Sequence, residues 1–307
     1  MNDASAHVWS QIQALLSGAR SRVVLIAPFI KLDVFAAALG AIPDSVRDVS
    51  CVTRWSVAEV AAGVSDPEIV QAADRDGGRC TVSIYHALHA KLILVDDVSL
   101  VGSANLTGRA TGLVQPENLE ILVEISSSNE EITRLLHRVS HAVPATNELA
   151  EQIREQANML CATAPDFVKQ LAVSTDHHPP FLPVTRSPKL LYGAYRGQMS
   201  KYPSDVAAGL VTDLSTLDIP LGLDETDFNS AVRQQLRSTP MLESLFSQGR
   251  LGSVELQRHI AQNHGLADDR ASRVAQNLAS WLEHFEQVHS VAVGAWEIRL
   301  GPEHRQA

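Results

Sequence analysis

Residues 89–105 constrain this chain more than any other stretch: His89-Ala90-Lys91-Leu92-Ile93-Leu94-Val95-Asp96, with Gly102-Ser103-Ala104-Asn105 close behind. Side chains of a strand alternate between its faces. The first run therefore reads as a strand with His89, Lys91, Ile93 and Val95 on one side and Ala90, Leu92, Leu94 and Asp96 on the other. Asp97, Val98 and Ser99 read as a hairpin turn, and Leu100 to Asn105 as a short strand returning beside the first. The spacing predicts one hairpin that sets an imidazole beside an ammonium and carries a hydroxyl and an amide back toward them.

A phosphodiester is the group that suits these four side chains. Lys91 can neutralise the single charge on its non-bridging oxygens, while Ser103 and Asn105 supply directed hydrogen-bond donors. His89 is then available to attack phosphorus, since a neutral imidazole with an ordinary pKa of about 6.5 is a competent nucleophile at neutral pH. A second acid must protonate the leaving oxygen.

At these positions the sequence resembles the phospholipase D superfamily, whose signature is His-x-Lys, four residues, Asp, then a Gly-Ser-x-Asn segment. His89, Lys91, Asp96, Gly102, Ser103 and Asn105 match it. The resemblance extends forward to Asn118-Leu119-Glu120, where members of the family carry an Asn-x-Glu whose carboxylate bonds the catalytic His. It extends back to Val23 through Ile30, which looks like the family's first strand. It covers about the first half of the chain. A mixed sheet flanked by helices is implied, with His89 as nucleophile, Lys91 and Asn105 as phosphate ligands, Ser103 assisting and Glu120 orienting His89. Asp96 falls on the strand face opposite His89, so it takes a structural role with Gly102. Family enzymes use two such motifs, one His forming a phosphohistidine and the other acting as acid and then base. No other histidine of this chain has a Lys two residues on. Single-motif members pair two copies across a two-fold axis, so the resemblance implies a homodimer with the active site at its interface.

Around the motif, Val8, Ile12, Leu15 and Leu16 predict an amphipathic helix over residues 1–18, and Asp33 to Leu39 a second helix after the first strand. Lys31 stands at the carboxyl end of that strand, where ligands gather in open α/β sheets. Val49 to Thr53 reads as a strand delivering Arg54 and Trp55 to the same end, a guanidinium for phosphate and a ring for a base. Arg109, in a Gly- and Thr-rich stretch, is a third candidate substrate ligand. Each has a plainer alternative: a solvated Lys31, an ion-paired Arg54 beside a core Trp55, and an ordinary surface loop around Arg109.

Helices at Glu130 to Val139 and Glu148 to Leu160 follow, then prolines. The expected organisation is a catalytic domain over 1–145, a helical, Pro-rich connector over 146–190, and a mainly helical domain over 191–307. In that last part Phe228 to Leu236, Val254 to Asn263 and Asp268 to Phe285 read as helices. Val288 to Val293 and Trp296 to Leu300, joined through Gly294, read as a hairpin. Helix, helix, helix and hairpin is the order of a winged-helix domain, which makes Arg270, Arg273 and Asn277 candidate DNA contacts.

Charge and cysteine usage bound the function. A formal net charge of −10 argues against a bulk nucleic-acid coat, though an enzyme can concentrate cations in one groove. The 3 cysteines have no metal-ligand or disulfide spacing, and no apolar run is long enough for a membrane span or secretory signal, so a reducing cytoplasm is expected. The sequence leads to a cytoplasmic, homodimeric phosphodiesterase that needs neither metal nor cofactor, has no stable membrane association and cleaves nucleic acid, DNA first. The alternatives are a phospholipase or phosphatidyltransferase and a non-catalytic nucleic-acid-binding relative.

Overall fold

The computed structural model describes residues 7–173, 181–286, 288–293 and 295–300. They form two compact units. One runs to Asn158 and takes in Val168–Val173; the other holds Met159–Phe167 and the described residues from 181 onward.

The first unit is built from α1 (His7–Ser17), β1 (Arg22–Ile26), α2 (Leu32–Ala41), β2 (Asp48–Thr53), α3 (Val57–Ala61), α4 (Ile69–Arg75) and β3 (Cys80–Ile84). After these come β4 (Leu92–Val95), β5 (Val98–Gly102), α5 (Gly108–Thr111), β6 (Leu122–Ser126), α6 (Glu130–Val139), β7 (Val143–Pro144), α7 (Asn147–Thr163) and α8 (Pro165–Val173), the last two reaching into the second unit. The strands make one mixed sheet in the order β6-β5-β4-β1-β2-β3-β7. Parallel pairing joins β1 to β2 and β2 to β3, while β1–β4, β4–β5, β5–β6 and β3–β7 are antiparallel.

Val24, Ile26, Val52, Leu92 and Leu94 pack with Ile132 and Val139 of α6 on one face. The alternate residues Val23, Leu25, Cys51, Ile93 and Val95 are buried on the other. A sheet covered on both faces needs strands apolar at nearly every position, and Val23 to Ile26 and Leu92 to Val95 meet that need.

The hairpin differs from the sequence expectation at its start. The strand begins at Leu92, and His89 to Lys91 are chain outside the ladder. A tight turn precedes them, in which Leu88 N donates to Tyr85 O at 3.0 Å. The hairpin turn falls on Asp96 and Asp97, with Asp96 at φ 51°, so β5 already begins at Val98. The amphipathic helix expected over 1–18 is described from His7 only; residues 1–6 lie outside the described residues, as does Gly294.

The second unit contains α9 (Leu191–Tyr195), α10 (Ser204–Leu217), α11 (Glu225–Ser238), α12 (Glu243–Gln248), β8 (Arg250–Gly252), α13 (Ser253–His264), α14 (Asp268–Phe285), β9 (Val288–Val293) and β10 (Ala295–Leu300). Its strands form an antiparallel sheet in the order β8-β10-β9. With α11, α13 and α14 ahead of the β9–β10 hairpin and β8 pairing with β10, this is the connectivity of a winged helix. Phe228, Val232 and Leu236 of α11, each fully buried at a spacing of four, face the same core as Leu278, Trp281 and Leu282 of α14.

An extended segment, 181–185, crosses this unit without a partner strand, and side chains replace the ladder. The Asp213 carboxylate accepts from Val184 N at 2.7 Å and Thr185 N at 2.9 Å. Asn277 Nδ2 donates to Pro183 O and Val184 O at 2.9 Å each, and Trp281 Nε1 to Thr185 O at 3.0 Å. Burial pushes the Asp213 carboxyl up to about 7, against the pull of its two amide donors. Asn277 is therefore a core residue, 6% exposed, and cannot read DNA as its place on α14 suggested. Arg273 is paired with Asp269 at 3.0 Å. Among the described residues no helix is long and apolar enough to cross a membrane.

Candidate active site

Strand polarity gathers the motif at one end of the sheet. β1, β2, β3 and β5 finish there, while β4 and β6 start there. The end of β5 thus brings Gly102 and Ser103 beside His89 to Lys91, which lead into β4, and Ser103 beside Glu120, which leads into β6; Asn105 follows in the chain and does not line the pocket that His89, Lys91 and Ser103 share. His89, Lys91 and Ser103 line one pocket of about 450 Å³, whose wall is Leu92, Val101, Ile132 and Leu135. His89 and Ser103 are exposed and Lys91 is half-buried.

Close backbone approach sets this geometry. Gly102 is paired with Leu122, and a Cβ on Gly102 would lie 1.8 Å from Ile121 O, so only glycine lets β5 and β6 meet here. Ser103 N donates to Ile121 O at 3.0 Å, and Ile121 N donates to Ser103 Oγ at 3.2 Å. The Ser103 hydroxyl in turn donates to the Glu120 carboxylate, whose other oxygen accepts from Asn118 Nδ2 at 3.2 Å. Glu120 is thus held by Ser103 and Asn118; among the described residues it makes no bond to His89, the partner expected of it. Lys91 Nζ donates to His89 O at 2.7 Å, which ties the ammonium to the backbone of the imidazole-bearing residue. The half-buried Asn105 presents an amide oxygen that is buried with no hydrogen-bond partner among the described residues. Lys31 N donates to Leu106 O at 2.9 Å, fastening the next residue to the end of β1.

Asp96 sits at the far end of β4, away from this pocket. Its carboxylate accepts from Ser21 Oγ at 2.6 Å and from the amides of Arg20, Ser21 and Arg22 at 2.9 to 3.0 Å. The Ser21 hydroxyl and these amides hold its carboxyl down at about 2. The hairpin is thereby locked to the start of β1.

Three candidate substrate ligands are not brought to the pocket. Lys31 Nζ is paired with Asp66 at 2.7 Å and donates to Gly63 O at 3.1 Å, because Asp66 returns to the end of β1 ahead of α4. The Arg54 guanidinium is paired with the largely buried Glu59 and donates to Leu88 O at 3.2 Å. Trp55 beside it is 1% exposed and belongs to the core. Arg109 Nε donates to Pro116 O at 2.9 Å, and Asn118 N to Arg109 O at 2.9 Å, so Arg109 shapes the loop that delivers Asn118 and Glu120. Asn118, read from sequence only as the first residue of the Asn-x-Glu motif, is a donor to Glu120. The Ile132–Leu135 wall was not identified from sequence, because it comes from a helix that no local pattern ties to the motif.

The family comparison falls on the part of the chain that carries this site. Residues 12–141 match the family model described as cardiolipin synthase, PLD-like domain. Among solved structures, similarity is found to Nuc from Salmonella typhimurium, a phospholipase D family member, at 18% identity and TM-score 0.34, covering 44% of this chain and 89% of that one. NucT from Helicobacter pylori gives 13% identity and TM-score 0.30, covering 47% of this chain and 94% of that one. Phosphatidylserine synthase from Haemophilus influenzae Rd KW20 gives 13% identity and TM-score 0.34, covering 81% of this chain and 71% of that one. No curated protein matches significantly. Residues 12–141, which contain the His89–Lys91 and Gly102–Asn105 segments on their mixed sheet, are thus a phospholipase D-like domain that makes up somewhat less than half of the chain.

Proposed function

We propose that this protein is a metal-independent phosphodiesterase, a nuclease that cleaves DNA through a phosphohistidine in a homodimeric active site. The observation that carries this reading is the open setting of His89 and Ser103. Both are exposed at the strand ends beside Lys91, so a phosphodiester within a polymer can be drawn across them without being enclosed. In the first step an imidazole nitrogen of His89 gives its electron pair to phosphorus. The bond to the leaving nucleotide oxygen breaks, and that oxygen takes a proton from His89 of the partner subunit. In the second step water attacks the phosphohistidine, gives its proton back to His89 of the partner subunit, and the phosphorus–nitrogen bond breaks. Lys91 and Asn105 carry the phosphate oxygens, and Ser103 and Glu120 fix the β5–β6 end of the site. The route needs no Lewis acid.

A second copy has a surface to meet. Leu119 is fully exposed, and Leu113, Val114, Ile121 and Val123 are exposed beside it, on edge strand β6 and the loop that leads into it at the motif's end of the sheet. DNA recognition is assigned to the first unit. On α14 of the winged helix, Asp268 and Asp269 open the helix where phosphate would approach. Cys51, Cys80 and Cys161 are in no disulfide, which suits a reducing cytoplasm.

A lipid substrate is the second reading, favoured by the apolar wall of Leu92, Val101, Ile132 and Leu135 next to His89. The test is to incubate the purified protein in EDTA with single-stranded DNA, duplex DNA, RNA and phospholipid vesicles. Cleavage of DNA that survives chelation is expected. Release of lipid headgroups alone would establish the second reading, and DNA cleavage that stops in EDTA and returns with magnesium would overturn the mechanism.

A further inference from the structure

We propose that Arg54 is a positioning residue for the nucleophile, acting through the peptide carbonyl that precedes His89; the role rests on the phosphodiesterase reading above. Arg54 directly follows β2, and its guanidinium meets three separate segments. It is paired with Glu59 on α3, it lies 5.3 Å from the centroid of the Phe29 ring beyond β1, and it donates to Leu88 O at 3.2 Å. Tyr85 N donates to Thr53 O at 2.9 Å, so the Tyr85–Leu88 turn is fastened to the end of β2 at its first residue by Thr53 and at its last by Arg54. His89 is the next residue.

That fastening matters because nothing else described holds the imidazole. Its ring makes no hydrogen bond among the described residues, and the side chain is exposed. The direction of the nucleophile is thus set by its own backbone, which is gripped at Leu88 O by Arg54 and at His89 O by Lys91. Side chains of Arg54 and Glu59 are only 17% and 10% exposed, so the pair sits in a low-dielectric setting where its geometry is stiff. With its charge met by Glu59, Arg54 is a poor phosphate clamp and a good strut. A displacement of about 1 Å at a reacting group costs about 100-fold in rate, which sets the scale of the effect.

Removing Arg54 alone would take the guanidinium away from the largely buried Glu59 carboxylate and perturb the site for that reason, so the test uses two variants of the full chain. Glu59→Gln keeps the Arg54 to Leu88 bond; Arg54→Met with Glu59→Gln removes it and leaves no orphaned charge. Turnover of bis(4-nitrophenyl) phosphate in EDTA, per folded molecule, is compared with hydrogen exchange over residues 85–91. In the double variant kcat is expected to fall about 10- to 100-fold with KM within about threefold, and exchange over 85–91 to quicken. Glu59→Gln, whose amide oxygen can still accept from Arg54, should lie between wild type and the double variant in both. A rise in KM with kcat unchanged would make Arg54 a substrate ligand, and unchanged kcat and exchange in the double variant would make it a packing residue; either result overturns the proposal. If wild-type protein fails to turn over the diester, the phosphodiesterase reading falls, and the exchange comparison still decides whether Arg54 orders the His89 segment.

Discussion

His89 and Asp96 share one sequence motif and do unlike work. His89 is exposed and lightly held, whereas Asp96 accepts four hydrogen bonds from Arg20, Ser21 and Arg22 at the start of the central strand. Replacing His89 with Ala is expected to abolish turnover and leave the melting temperature within about a degree or two, in keeping with small effects at exposed positions. Asp96→Ala strips the acceptor from four donors and is expected to destabilise by on the order of 1–3 kcal/mol. Because the folded-state pKa of Asp96 is depressed to about 2, its contribution is present above the unfolded value of about 3.9 and is lost as pH falls from about 4 to about 2. Melting profiles over that window should fall less steeply for Asp96→Asn than for wild type. A matching acid slope in the two proteins, or an inactive Asp96→Ala that melts like wild type, would reassign the residue to catalysis. Elsewhere, partners decide what a residue does. Lys31 and Arg54 stood at strand ends where ligands gather, but Asp66, from the chain between α3 and α4, and Glu59, from α3, reach back to neutralise them. No local pattern foretells such a pairing. Asn277 was misread for a related reason, since a polar residue on a helix looks solvent-facing until an extended segment lies against it.

Elements built from apolar repeats were legible in advance. Glu130 to Val139 and Asp268 to Phe285 stand where periodicity put them, whereas the first strand, expected over Val23 to Ile30, ends at Ile26. The start of β4 was not, because alternation continues through His89 and Lys91 while the Tyr85–Leu88 turn, fixed by bonds to β2, keeps those residues off the ladder. Helix α10 also passed unrecognised, its stripe diluted by Gly209, Thr212, Ser215 and Thr216. Close approach of β5 to β6 is the element-scale feature on which the site depends. A methyl group on residue 102 would lie 1.8 Å from Ile121 O, against backbone that cannot give way without opening the ladder. Gly102→Ala is accordingly expected to destabilise by about 1–3 kcal/mol and to reduce turnover by disturbing Ser103, as followed by urea unfolding and by the diester assay. Unchanged stability would mean that β6 is held less closely than described.

Under the proposed two-histidine mechanism, one motif per chain makes pairing with a second copy a chemical requirement. Attack on phosphorus and protonation of the leaving oxygen occur on opposite sides of the same phosphate, and a single His89 cannot stand on both. Two copies facing each other would gather two Lys91 and two Asn105, giving local positive charge on a chain whose net charge is −10. The exposed Leu113, Val114, Leu119, Ile121 and Val123 lie where such a contact would bury them. At the start of α14 in the second unit stand Asp268 and Asp269, so the proposal places substrate binding on the first unit. The most direct test mixes wild-type subunits with His89→Ala subunits at fixed total concentration, allows them to exchange, and follows turnover against the wild-type fraction. The shared site predicts that activity falls with the square of that fraction, because a mixed dimer has either the nucleophile or the acid and never both. A linear fall, or full activity in a protein that sediments as a monomer, would contradict it.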